Sequence, residues 1–221
     1  MISNGRVGRV WAGLASRIVA VSLVVGMSMA FAALTPAAEG PDITIVPRDL
    51  IDDAAGKIVA ILADTDQPSE ARVSQIEEIA YDIFDFTTMS KLVLARNWRK
   101  LDKEQRADFV REFKRNLSRT YGTRLDRYDQ ENIEIFGTQI EPRDDVSVKT
   151  RIVGGQFDGA VISYRLRERS ERWRIIDVVI EGVSLVSNYR SQFAEILNTG
   201  TIDDLMVKLR DKNFDIKEDE G

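Results

Sequence analysis

The sequence predicts an α+β domain, with helices packed on one curved, largely antiparallel sheet. Three observations predict it. Apolar side chains recur at helical spacing in four stretches between residues 47 and 121. From Asn132 to Ile180 the period changes to alternation, in four runs. From Ser184 to Leu209 helical spacing returns twice. Six or seven helices and a four-stranded sheet are therefore expected.

The first helix is read over Pro47 to Ala63, with Leu50, Ala54, Ile58, Ile61 and Leu62 on one side. Ser69, after Pro68, is placed as the cap of a second helix that runs to about Phe84 on Val73, Ile76, Ile79, Ala80 and Ile83. Asp85 allows a break, and Thr87 to Asn97 reads as a short third helix. Asp102 with Gln105 three residues on resembles a capping box. The fourth helix then carries Phe109, Phe113, Leu117 and Tyr121 in one i, i+4 row, with Arg111, Lys114 and Arg115 on its solvated side.

The strands follow. Ile133 and Ile135 alternate with polar neighbours, as do Val146, Val148, Thr150 and Ile152, and then Ile162, Tyr164 and Leu166. Gly154-Gly155 marks a turn, and Arg167–Arg172 a hairpin connection. Trp173 to Ile180 (WRIIDVVI) is nearly apolar throughout, which predicts a strand covered on both faces. Ser184 caps a helix on Val186, Tyr189, Phe193, Ile196 and Leu197 that Gly200 stops. Thr201 and Asp204 open the last helix, with Ile202, Leu205, Met206 and Leu209 inward.

The first forty residues differ from the rest. Arg6, Arg9 and Arg17 are the only charges before Glu39, Ile18 to Leu34 carries none, and Ala30-Phe31-Ala32 supplies a small-x-small exit. This is the pattern of a cleavable secretory signal peptide over residues 1–32, and it predicts a periplasmic destination. Residues 33–46, with Pro36, Gly40 and Pro41, read as a linker; residues 47–213 form the domain, and 214–221 an acidic tail.

Composition narrows the function. The net charge of −5 argues against a general nucleic-acid binder. Histidine and cysteine are both absent. That excludes Ser-His-Asp and Cys-His catalysis in their usual forms and removes the commonest transition-metal ligands. No phosphate-cradling glycine loop occurs, and Ser184 lacks the glycine two residues on that a nucleophile elbow needs. Of the acid pairs Asp52-Asp53, Glu77-Glu78, Asp144-Asp145 and Asp203-Asp204, those on helices point in different directions and those in turns read as solvated, so none reads as a catalytic or metal site. Asp177 stands in an apolar strand and must find a partner, for which Arg174 and Arg190 are the candidates. A monomeric, non-catalytic domain without cofactor is expected. Spacing alone leaves the aromatic row as either packed core or the lining of an apolar cavity, because both use the same side chains.

Three segments in order carry a family resemblance: Phe86 to Tyr121 (FTTMSKLVLARNWRKLDKEQRADFVREFKRNLSRTY), Trp173 to Val186 (WRIIDVVIEGVSLV) and Asn188 to Leu209. Together they resemble the MlaC, or toluene-tolerance, family of periplasmic phospholipid-binding proteins, over roughly residues 47–210. One departure is Ala95, where the family often has glycine after Leu-Val-Leu. The resemblance implies an NTF2-like twisted sheet whose helices enclose an apolar pocket. It implies phospholipid as cargo, and as partners an outer-membrane lipoprotein complex and an inner-membrane ABC transporter with an MCE-domain ring, in maintenance of outer-membrane lipid asymmetry. Relatives are also found beside hopanoid genes, so a hopanoid stays open as cargo. The residues matching the implied lining are Met89, Leu92, Val93, Phe109, Phe113, Leu117, Tyr121, Val148, Ile162, Tyr164, Val178 and Val183.

Overall fold

The computed structural model describes residues 42–122 and 131–211. The expected signal segment, most of the expected linker and the acidic tail lie outside the described residues. Helix α1 spans Ile45–Ala63, so Ile45 and Val46 are helical although the sequence places them in a linker. The cause is local. Thr44 donates its N–H and hydroxyl to Asp42 Oδ1 at 2.9 and 2.7 Å, and this closed turn starts the helix ahead of Pro47. Helix α2 spans Ser69–Ile83. Its cap position is Pro68, which has no side-chain acceptor, and Ser69 is the first helical residue rather than the cap.

Helix α3 (Phe86–Leu94) starts where Asp85 accepts from the Thr88 N–H at 2.8 Å. It ends earlier than the sequence suggests, because Ala95 takes φ +48° and the chain tightens into a 3₁₀ turn over Ala95–Lys100. Helix α4 (Lys103–Gly122) opens on the expected reciprocal cap. Asp102 N–H donates to Gln105 Oε1 at 3.0 Å, and Gln105 N–H donates to Asp102 Oδ1 at 2.8 Å.

The sheet is wholly antiparallel in the order β1-β2-β3-β4-β5: Asn132–Ile140, Val146–Val153, Val161–Arg169, Arg172–Ile180 and Val183–Ser184. The sequence reading has four strands. The fifth is two residues long, too short to show alternation. Ser170 and Glu171, with φ of +50° and +60°, close the β3–β4 hairpin. Helices α5 (Leu185–Thr199) and α6 (Ile202–Arg210) begin at the expected caps, Ser184 accepting from Ser187 N–H and Thr201 exchanging bonds with Asp204. At Gly200 the backbone is extended, and a Cβ would stand 2.9 Å from Asp204 Oδ2; glycine here makes room for the next cap.

Register gathers one apolar face. Val146, Leu166 and Ile175 form a rank across β2, β3 and β4; Val148, Tyr164 and Val178 form the next; Thr150, Ile162 and Ile180 the third. Ile175 and Val178 are three residues apart, yet share a face because a bulge opposite Arg165/Leu166 inserts one residue into β4. That bulge explains why WRIIDVVI does not alternate. It also turns Asp177 toward Arg165, on the other face.

Two apolar cores result. Helices α3 to α6 bury Met89, Val93, Phe109, Phe113, Leu117, Tyr189, Phe193, Leu205 and Leu209 among themselves. Against the sheet face, Ile51 of α1 and Leu185 join the buried Val146, Val148, Leu166, Ile175 and Val178. Phe84 and Tyr121 touch both cores. Phe84 leads the chain out of α2 along β4, where Asp85 N–H donates to Ile175 O at 2.9 Å.

Candidate functional site

Eleven of the twelve residues singled out in the sequence fall into two groups. Met89, Leu92, Val93, Phe109, Phe113 and Leu117 belong to the helical core. Its rings are spent on one another: Phe113 meets Tyr189 edge-on at 5.2 Å between centroids, Phe109 meets Phe193 at 5.8 Å, and Phe109 stacks on Phe113 at 5.8 Å. Phe109 and Phe113 are 0 % exposed. Such pairs add about 0.5–1.5 kcal/mol each beyond their burial, and they leave no surface for a guest.

Val148, Ile162, Tyr164 and Val178 lie together on the sheet face, and Tyr121 reaches them from the last turn of α4. Val183 stands apart on β5, 47 % exposed.

The sheet-face core has the smaller fully buried centre of the two, and partly buried apolar side chains surround both. Around its buried centre, Leu50, Ile83, Ile135, Ile162, Tyr164 and Ile180 pack against it, each keeping a minor part of its surface exposed. Tyr164 shows what this means. The residue is partly exposed, yet burial of the phenol pushes its pKa up to about 12, against a smaller opposing hydrogen bond with Thr150. The phenol therefore stays neutral. Thr150 Oγ1 also lies 3.0 Å from Ile162 O, to which it can donate instead.

Above this floor, a cleft of about 300 Å³ opens between α1 and α2, lined by Leu50, Asp53, Ala54, Lys57, Ile79, Asp82 and Ile83. Leu50 and Ile83 belong to both the cleft and the sheet-face core. Its rim is ionic: Lys57 pairs with Asp53 at 2.6 Å, and Arg172 with Asp82 at 3.1 Å. Sequence reasoning passed over Leu50, Ile83, Ile135 and Ile180 as site residues. The signal was present, since Leu50 and Ile83 are on the helical stripes and Ile180 continues the apolar strand, but only the register shows that they meet.

Asp177 is 4 % exposed, and its partners correct the sequence reading. Neither Arg174 nor Arg190 reaches it. Arg165, directly across the β3–β4 pair, places a guanidinium nitrogen 3.3 Å from Oδ2; Ser184 Oγ donates to Oδ2 at 2.7 Å and Val186 N–H to Oδ1 at 3.1 Å. The carboxylate thus sits on the first turn of α5, where the helix dipole favours negative charge. Arg190 instead donates to Leu92 O at 2.8 Å. Asp145, read as solvated with Asp144, is buried and holds Arg167 through two bonds of 2.6 and 2.7 Å. These carboxylates tie elements together, and Ser184 Oγ is occupied as a cap. Among the described residues, no group of three or more metal-ligating side chains gathers. No described helix is long and apolar enough to cross a membrane.

Comparison with known proteins agrees with this architecture. The toluene tolerance protein ttg2D of Pseudomonas putida is 25 % identical over 167 residues, which cover 71 % of this chain and 77 % of that protein. The intermembrane phospholipid transport system binding protein MlaC of Haemophilus influenzae is 24 % identical over 122 residues, 53 % of this chain and 57 % of its own length. A solved phospholipid-binding protein from Ralstonia solanacearum, in complex with a phospholipid, superposes with a TM-score of 0.67 at 23 % identity, covering 75 % of this chain and 96 % of that one; it shares the fold. The family model described as "MlaC protein" matches residues 52–211. With that match across most of its length, the chain belongs to the MlaC family.

Proposed function

We propose that this protein is a periplasmic phospholipid carrier that holds acyl chains against the sheet face beneath α1 and α2. The observation that carries the reading is the partly exposed floor of Leu50, Ile83, Ile135, Ile162, Tyr164 and Ile180, continuous with the α1–α2 cleft. These side chains keep part of their apolar surface exposed, and Leu50 and Ile83 join them to the cleft. The names of the relatives, a phospholipid transport binding protein and a lipid-complexed neighbour, support the same cargo.

In this reading Tyr121, Ile162 and Tyr164 touch the chains, Val148 and Val178 lie buried beneath them, and Met89, Leu92, Val93, Phe109, Phe113 and Leu117 form the wall behind. Val183 lies at the sheet edge beside the lipid path. The cleft of about 300 Å³ is at the lower end for a small-molecule site, so α1 and α2 part to admit cargo.

The energetics suit exchange. Each methylene leaving water gains about 0.8 kcal/mol, and a bilayer offers nearly the same gain. Transfer between membrane and pocket is then close to neutral, while escape into water is prohibited. No bond is broken and no cofactor is required. The carrier would pass phospholipid between an outer-membrane lipoprotein complex and an MCE-domain ABC transporter of the inner membrane.

Native mass spectrometry of the purified mature protein tests the proposal, together with uptake from phospholipid vesicles. We expect a bound diacyl phospholipid that organic extraction removes and vesicles restore. A folded protein that neither carries nor acquires lipid would overturn the reading; a hopanoid in its place would keep the carrier and change the cargo.

A further inference from the structure

The segment KLVLARNWRKLDKEQR (residues 91–106) holds Lys91, Arg96, Arg99, Lys100, Lys103 and Arg106 against only Asp102 and Glu104, in a chain whose net charge is −5. The structure concentrates these cations at one corner. The 3₁₀ turn over Ala95–Lys100 has three residues per turn, which sets Arg96 and Arg99 one above the other. Arg96, Arg99, Lys100 and Lys103 are exposed and have no ion pair among the described residues, and Asp102 directs a carboxylate oxygen into the α4 cap. Trp98 stands within this ring. Its indole packs against the helical core, with Lys91 Nζ 5.9 Å and the Arg106 guanidinium 5.4 Å from the ring centre. Arg190, donating to Leu92 O, brings a further guanidinium to the end of α3.

We propose that this corner is a docking surface for an anionic phospholipid bilayer. Half-buried tryptophan flanked by lysine and arginine suits the boundary between headgroups and acyl chains. The cations sit on flexible stems around a turn. A diffuse negative surface engages such an arrangement without a shaped counterpart, whereas a protein partner would need matched acids. An acidic chain is repelled by an anionic bilayer as a whole, so a local basic corner also fixes which side approaches first. This surface lies on α3, the 3₁₀ turn and the start of α4, apart from the α1–α2 cleft, and the inference stands whether or not that cleft holds acyl chains.

The test is co-sedimentation of the mature protein with phosphatidylcholine vesicles, with and without phosphatidylglycerol, at low and at high salt. Binding is expected only with phosphatidylglycerol, and is expected to fall as salt rises. Each cation near such a surface contributes roughly a five-fold gain in binding, so R96E/R99E/K100E should lose on the order of a hundred-fold or more. The variant should keep its circular dichroism and its lipid complement by native mass spectrometry. If it fails to fold, Arg99→Glu and Lys100→Glu are measured singly, each at an exposed position. Equal binding to both vesicle types, or binding by the folded variants as strong as the parent's, overturns the proposal. So does absence of binding to the anionic vesicles, which would leave the corner to an acidic protein partner.

Discussion

At the scale of single residues, burial decides which charges matter. Asp177 is enclosed and depends on Arg165, Ser184 and the Val186 N–H, whereas Arg174, two positions from the bulge, has no bond to it. Arg165→Ala should therefore lower stability by about 1–3 kcal/mol, reduced toward the lower figure because that arginine is 34 % exposed. Arg174→Ala should change it by less than about 1 kcal/mol. Urea melts of the two variants distinguish these outcomes, and equal effects would refute the assignment. The sequence made plain that Asp177 needs a partner, and misnamed it because a bulge is invisible to residue counting. Ala95 shows a different kind of legibility. Its departure from the family's glycine is visible in the sequence, and its φ of +48° gives the physical cause. With ψ at −121° this is a sparsely populated, glycine-favouring backbone that burdens a side-chain-bearing residue by about 1–3 kcal/mol, so Ala95→Gly should raise the melting temperature by at least roughly 2–4 °C in a thermal scan.

At the scale of elements, periodicity and capping were the readable part. Four of the caps or breaks named from sequence, at Asp85, Asp102, Ser184 and Thr201, bind as their spacing suggests, because a cap acts over three residues and needs no tertiary context. Ser69 is the exception, since Pro68 already fixes the backbone ahead of it. Strand β3 offers the sharpest test of face. Ile162 aligns with Thr150 and Ile180 on the core side, and Ser163, paired with Lys149 and Val179, points away. Ile162→Glu should abolish bound lipid, because a carboxylate against acyl chains must stay protonated or be expelled. Ser163→Glu should retain it. Lipid per folded molecule is the quantity to compare, after cooperative melting has been checked in both; Ile162→Trp, which fills the space without charge, serves if the glutamate variant does not fold. A folded Ile162→Glu with a full lipid complement would place the cargo elsewhere.

At the scale of the molecule, the proposal gives the two cores different tasks. Side-chain types did not reveal this, since phenylalanine and isoleucine serve a solid interior and an open one equally; only register and ring geometry separate them. Phe113, fully covered by Phe109, Tyr189 and Phe193, should act on stability alone. Phe113→Ala is expected to cost about 3–5 kcal/mol in chemical denaturation while the surviving folded protein carries its normal lipid. Loss of lipid at unchanged stability would place cargo in the helical core instead. The partly exposed floor beneath α1 has a calorimetric consequence. Filling the floor should itself be accompanied by a negative heat-capacity change, read by titration calorimetry at several temperatures. Temperature thereby acts on loading: the enthalpy of lipid capture should become more favourable as the solution warms.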